Sequence, residues 1–197
     1  MKISQPFDDM PLWQFENIDI PELDYSKYSH NSVQNHNSLL KDPIYSNRKK
    51  ILSNVLNHCE DFKKIKIQVT DLIENIKKIN TLPIEFLYPI NTWDMSGCPI
   101  DIVIDNSSFF MGYHLDNRNI KCNLFLNLQH NISSTEFSIV NQHTPFNTTE
   151  FKPSIREWKG PTEKGTGYFW FNCPELWHRI NVTDVERKIA MMGVTIT

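Results

Sequence analysis

The sequence predicts a mainly β protein with helical support towards its N-terminal end, on three observations. Apolar residues recur at spacings of three and four across 46–80, at Ile51, Leu52, Val55, Leu56, Cys59, Phe62, Ile65, Val69, Leu72, Ile73 and Ile76, the pattern of an amphipathic helix. From Leu82 onwards the texture changes to short apolar runs separated by turn residues, which suggests an all-β sandwich or barrel. Gly165-Thr166-Gly167 supplies turn chemistry directly before the aromatic run Tyr168-Phe169-Trp170-Phe171.

Composition narrows the class. A chain of 197 residues suits one domain, or one domain with an arm. It is 40% hydrophobic and 22% charged, ordinary for a globular protein. The net charge of -3 gives no basic footprint, so a nucleic-acid partner is disfavoured. No apolar run is long enough to span a bilayer, and the start Met1-Lys2-Ile3-Ser4-Gln5-Pro6 lacks a signal-peptide apolar core. Cys59, Cys98, Cys122 and Cys173 show no C-x-x-C spacing and read as reduced thiols of a cytoplasmic protein. The sequons at Asn106, Asn131, Asn147 and Asn181 are then a by-product of an Asn-rich chain. Ala190 is the only alanine, while Asn, Ile and Lys abound; this bias suggests an AT-rich coding genome, such as that of a virus or phage.

Taken in order, residues 1–45 read as an irregular N-terminal arm, broken by Pro6, Pro11, Pro21 and Pro43. Phe7, Leu12, Trp13, Phe15, Ile18 and Ile20 are too apolar for a free tail, so the arm is expected to lie across the domain, with room for a short strand. His30 and His36 fall in a polar loop and read as solvated. Residues 46–80 form the supporting helical segment, capped by Ser46 or Asn47, with a possible break at Glu60-Asp61 and Lys63-Lys64. Strands are expected at Asp101 to Asp105, Met111 to Asp116, Cys122 to Gln129, Thr135 to Val140, Phe151 to Trp158, Tyr168 to Asn172, Leu176 to Ile180 and Arg187 to Ile196. The whole of 1–197 reads as a single domain, with 81–197 its catalytic core.

His114-Leu115-Asp116 carries the chemistry. Residues two apart in an extended segment point to one face, so His114 and Asp116 would stand side by side. They make two thirds of the 2-His-1-carboxylate set that holds non-haem Fe(II) with open positions. A His-x-Asp alone is weak, because chance produces it readily. Pro174-Glu175-Leu176-Trp177-His178-Arg179-Ile180 adds a histidine on a late strand, and Asn181-Val182-Thr183-Asp184 is turn-like before Arg187. In such a hairpin His178 and Arg187 would sit on neighbouring strands with both side chains inward. A buried, unpaired arginine is expensive, and a bound carboxylate would supply a bidentate partner. Each histidine alone is more often a core or surface residue than a ligand, and Arg187 alone a sheet-edge charge. Arg179, out of phase with His178, reads as solvent-facing, and Trp93, Trp158, Trp170 and Trp177 as packing.

Together His114-x-Asp116, His178 and Arg187 resemble the 2-oxoglutarate- and Fe(II)-dependent dioxygenases, most of all their prolyl-4-hydroxylase-like branch. The run Gly160 to Asn172, then Trp177-His178-Arg179-Ile180 and Arg187, is similar to that family's final strands. His114-Leu115-Asp116-Asn117-Arg118-Asn119 followed by a strand ending Leu126-Asn127 is similar to its first metal strand. The resemblance covers roughly residues 98–197. It implies a double-stranded β-helix, a jelly-roll or cupin-like barrel with supporting helices. It also implies His114, Asp116 and His178 as Fe(II) ligands, Arg187 as the anchor of 2-oxoglutarate, and O2 as cosubstrate. The reaction implied is hydroxylation of a C–H bond, with conversion of 2-oxoglutarate to succinate and CO2. The substrate favoured by the branch is a peptide or an amino acid.

One position departs from the family pattern. Many relatives place a tyrosine or threonine on the strand after the His-x-Asp motif, beside the arginine. Here that strand is Cys122 to Leu128. If Asn123, Phe125 and Asn127 face inward, the Asn123 amide takes the hydroxyl's place; if Cys122, Leu124, Leu126 and Leu128 do, the strand gives no polar helper. Two other classes remain open: a cupin-like metal enzyme that does not use 2-oxoglutarate, and a non-catalytic jelly-roll binding or virion protein.

Overall fold

The computed structural model describes residues 1–28, 31–32, 48–52, 56, 58–78, 100–107, 109–115, 120–140, 154–181 and 185–195. Within them run twelve strands and one long helix: β1 (Lys2–Ser4), β2 (Leu12–Glu16), β3 (Asn31–Ser32), β4 (Arg48–Ile51), α1 (Glu60–Lys78), β5 (Asp101–Asp105), β6 (Phe110–His114), β7 (Ile120–Asn127), β8 (Thr135–Val140), β9 (Ser154–Lys159), β10 (Gly167–Phe171), β11 (Leu176–Asn181) and β12 (Arg187–Thr195). They form an eight-stranded sheet in the order β1-β2-β10-β7-β12-β5-β4-β3 and a four-stranded sheet in the order β6-β11-β8-β9. All the pairings are antiparallel.

Strand alternation sorts the large sheet's side chains into two cores. On one face Leu124, Leu126, Phe169, Phe171, Ile102, Ile104, Ala190 and Met192 pack with Phe62, Ile65, Val69, Leu72 and Ile73 of α1. This is the apolar stripe that the sequence spacing picks out. On the other face Val103, Phe125, Tyr168, Trp170 and Ile189 meet Phe137, Ile139, Leu176 and Ile180 of the small sheet. The order through the molecule is helix, large sheet, small sheet. The N-terminal arm contributes β2 to the large sheet beside β10, and Gln68 of α1 clasps the backbone of Asp19 from both sides, accepting from its N–H at 2.8 Å and donating to its carbonyl at 2.9 Å.

Three expectations are corrected. The strands do not close into a jelly-roll or cupin-like barrel, and so not into a double-stranded β-helix barrel. The sheets are open, with β1 and β3 at the edges of one and β6 and β9 at the edges of the other. Among the described strands no backbone pairing joins the two. They meet through bulky aromatic side chains, as stacked sheets do, and through side-chain hydrogen bonds from Arg187 and Tyr168 to Thr135. Second, Arg48–Ile51 is a strand, not the start of the helix, because it pairs in register with β5, Ile51 opposite Ile102. The proposed caps Ser46 and Asn47 lie outside the described residues. Third, β11 and β12 do not form a hairpin: β11 lies between β6 and β8, and β12 between β7 and β5.

Local polar chemistry fixes the turns around the inter-sheet space. Asn131 is 1% exposed; its amide donates to Asn127 Oδ1 and the Lys188 carbonyl, and its Oδ1 accepts from the Lys188 N–H. A side chain so committed is no glycan acceptor, whatever its sequon suggests. Gly167 lies where a Cβ would stand 2.1 Å from the Phe125 carbonyl oxygen, so only glycine lets β10 approach β7 there. No helix among the described residues is long and apolar enough to cross a membrane.

Candidate active site

His114 ends β6 and His178 is the third residue of β11, and the antiparallel register sets them directly opposite one another. Directly opposed residues share a face, and the ring centroids are 4.2 Å apart. His178 is buried, with Trp170 and Phe137 at 5.2 and 5.8 Å between ring centres. Burial pushes its pKa well below the usual imidazole range, and the neighbouring His114 and Arg187 push it the same way. The neutral imidazole that results is the form that ligates metals. His114 Nδ1 lies 2.7 Å from the Gly112 carbonyl. A carbonyl only accepts, so Nδ1 is the donor in this contact and Nε2 is the nitrogen turned to any metal, the arrangement that orients a metal-ligating histidine.

Arg187 opens β12 on the facing sheet. It forms the end of a row of three directly opposed residues across β4, β5 and β12: Arg48, Asp105, Arg187. Arg187 is 1% exposed and Asp105 fully buried. Arg187 Nη2 donates to Thr135 Oγ1 at 2.9 Å and to the Tyr168 hydroxyl at 3.0 Å, while Nη1 reaches Asp105 Oδ2 only at 3.4 Å. Tyr168 in turn donates to Thr135 Oγ1. Thr135 therefore accepts twice, and its own proton is left to donate elsewhere. Arg187 Nε is buried with no hydrogen-bond partner among the described residues. Phe125 lies under the guanidinium, 5.5 Å from the ring centre.

The histidine pair and the arginine thus lie on opposite sheets. They border one aromatic interior: Phe137 packs against both His178 and Tyr168, and Tyr168 touches Arg187. Asp116 lies outside the described residues. Among the described residues no three His, Cys, Asp or Glu come together as a metal set. Asn123 shares the inter-sheet face of β7 with Phe125, and its amide donates to Asn172 Oδ1 at 3.5 Å. The partners of Arg187 are instead Asp105, Thr135 and Tyr168, from β5, β8 and β10. The sequence reading missed all three, and Arg48 with them. Asp105 did carry a signal, an acid at the end of a β-branched run; what it could not reveal was which strand would lie beside it. Arg179 bonds Glu136 at 2.7 Å on the outer side of the small sheet and covers the Tyr113 ring.

The two imidazoles are in a form that suits a metal, and the arginine with its hydroxyls suits an anion. One imidazole has its second nitrogen committed to a carbonyl, the other is held neutral, and the unpartnered Nε of Arg187 with the spare Thr135 proton is a donor set that a carboxylate would satisfy.

No protein-family model matches the chain, and no curated protein matches it. Solved structures do. A prolyl hydroxylase from Trichoplax adhaerens, in complex with a hypoxia inducible factor oxygen degradation domain peptide fragment, is similar with a TM-score of 0.52 at 11% identity, over 75% of this chain and 62% of that one. A prolyl-4-hydroxylase from Pseudomonas putida is similar at 11% identity over 76% of this chain and 69% of that one, TM-score 0.47. An oxidoreductase of the 2OG-Fe(II) oxygenase family from Burkholderia pseudomallei is similar at 12% identity over 86% and 73%, TM-score 0.44. The likeness is one of fold, and the first of the three carries it; the chain spans about three fifths of that structure's length.

Proposed function

We propose that the protein is an Fe(II)- and 2-oxoglutarate-dependent dioxygenase of the prolyl-4-hydroxylase-like branch, acting in the cytoplasm on a C–H bond of a peptide or amino acid. The observation that carries this reading is the juxtaposition of an opposed histidine pair on one sheet with a buried arginine, supplied with two hydroxyls, on the other. The fold shared with the Trichoplax prolyl hydroxylase supports it.

In this reading His114, Asp116 and His178 hold Fe(II), and Arg187 holds the distal carboxylate of 2-oxoglutarate. When bound, metal, cosubstrate and O2 supply the oxidising chemistry that hydroxylates the substrate and yields succinate and CO2. The chain's own contribution is positional. The Gly112 carbonyl fixes the His114 tautomer. Burial keeps His178 unprotonated and ready to ligate. The Arg187 guanidinium offers a carboxylate its charge and its unpartnered Nε–H, and Thr135 and Tyr168 hold it still through Nη2. Phe125, Phe137 and Trp170 surround these groups with apolar rings, which excludes water and strengthens every charge interaction inside. Asn123, on the Phe125 face of β7, is assigned a lesser part in the cosubstrate pocket.

The test is succinate release from 2-oxoglutarate by the Fe(II)-loaded protein, offered peptide and amino-acid fractions. Dependence on both Fe(II) and 2-oxoglutarate is expected, with a product heavier by one oxygen. His114→Ala, Asp116→Ala and His178→Ala should each abolish tight Fe(II) binding with the fold intact by circular dichroism. Full metal affinity in His178→Ala would sink the ligand assignment. Metal binding without any succinate release would favour a metal enzyme that makes no use of 2-oxoglutarate.

A further inference from the structure

The row Arg48–Asp105–Arg187 holds two guanidiniums and one carboxylate in the inter-sheet interior. Pairing is unequal. Arg48 takes both oxygens of Asp105, Nε to Oδ1 at 2.5 Å and Nη2 to Oδ2 at 3.1 Å. Arg187 meets the same carboxylate through one long contact of 3.4 Å. Arg48 is itself held in place, its guanidinium lying 4.3 Å from the centre of the Phe109 ring and its side chain only 11% exposed. A carboxylate without Arg48 would turn to the only other guanidinium in its row, and a fork-to-fork pair with Arg187 is the geometry both groups prefer. Such a pair would occupy the very donors that an incoming anion needs.

We infer that Arg48 is a positioning residue for the anion site: by holding Asp105 bidentately it keeps that carboxylate off Arg187 and leaves one uncompensated positive charge for the cosubstrate. The inference rests on the reading of Arg187 as the 2-oxoglutarate anchor. Its consequence is a sign that ordinary structural support would not give. Asp105 is a competitor of the ligand, and Arg48 the group that restrains the competitor. Removing Arg48 should weaken anion binding although it touches no anion. Removing Asp105 should strengthen binding, because Arg187 then has no internal rival.

The experiment is calorimetric titration of 2-oxoglutarate into the full chain loaded with Mn(II), anaerobically, with Mn(II) affinity measured separately. Arg48→Gln should weaken 2-oxoglutarate binding by about tenfold or more, the scale of one lost charge interaction in a buried site, with Mn(II) affinity unchanged. The double variant Arg48→Gln/Asp105→Asn should regain most of that loss. Asp105→Asn alone, which keeps Arg48 and serves also if Arg48→Gln does not fold, should bind 2-oxoglutarate at least as tightly as the unaltered protein. Weaker binding in Asp105→Asn, or no recovery in the double variant, would overturn the inference while leaving the proposed function standing. A protein that binds Mn(II) but no 2-oxoglutarate, or whose affinity is unaffected by Arg187→Ala, overturns the functional reading and this inference with it.

Discussion

Cys173 shows how a single environment decides reactivity. It follows β10 and is 3% exposed. Burial, with the Glu175 carboxylate nearby, pushes its thiol up to about 12. The nucleophile in alkylation is the thiolate, so Cys173 should resist iodoacetamide at pH 8 in the folded protein and react once it is unfolded; site-resolved mass spectrometry reads this directly, and prompt labelling of native Cys173 would contradict its burial. The same shift has a linkage sign. The folded thiol holds its proton above the ordinary value of 9.0, where the unfolded chain has lost it. Its contribution to stability is therefore full below about pH 9 and declines as pH rises from there towards 12. None of this is legible in Phe-Asn-Cys-Pro-Glu, because burial is a property of the surroundings. His114 and His178 were legible as candidates only jointly with Asp116 and Arg187, through the family resemblance, since a His-x-Asp pair by itself is weak. The hydroxyls of Thr135 and Tyr168 were not, because only the packing of β8 against β10 brings them to Arg187.

Among the elements, those from β5 onwards could be read closely from the sequence. Asp101–Asp105 and Thr135–Val140 fall where β-branched and aromatic residues predict them. β4 could not. Arg-Lys-Lys-Ile is a poor strand in isolation, and Ile51 and Leu52 fit the helical stripe equally well; pairing with β5 decides the matter, a case of tertiary context overriding local preference. The helix itself is supporting structure in its described contacts. Leu72 is fully buried between α1 and the large sheet, so Leu72→Ala should cost about 2–5 kcal/mol of unfolding free energy. Since its cluster lies on the opposite face of the sheet from Arg187 and His178, metal and 2-oxoglutarate affinities should stay within about twofold, on the additivity of distant sites. A urea titration alongside calorimetry would separate the two effects; a large loss of affinity at unchanged stability would mean that the helix shapes the site.

At the scale of the whole molecule, the two-sheet arrangement carries a consequence that a single hairpin would not. The histidines belong to the four-stranded sheet and Arg187 to the eight-stranded one, and the described residues join the two by side-chain packing and by the bonds of Arg187 and Tyr168 to Thr135, with no backbone pairing. A ligand gripped at one end by a metal on the small sheet and at the other by Arg187 would tie the sheets together. Mn(II) alone should raise the unfolding temperature, and 2-oxoglutarate alone should do little. The two together should exceed the sum of their separate shifts, because each completes the other's site. At a hundredfold excess over Kd a ligand adds about 2.7 kcal/mol, which for a chain of this size means roughly 5–10 °C at about 2–4 °C per kcal/mol. Arg187→Lys keeps the charge but loses the fork, so its 2-oxoglutarate increment should shrink while the Mn(II) shift persists. Arg187→Ala should lose the increment altogether, a loss on the order of 2–5 kcal/mol for one partner of a buried charge pair. Differential scanning calorimetry of the three proteins, each with Mn(II), 2-oxoglutarate or both, checks the pattern. Purely additive shifts, or an increment that survives in Arg187→Ala, would mean that the cosubstrate is held within one sheet and that the arginine faces it for some other reason.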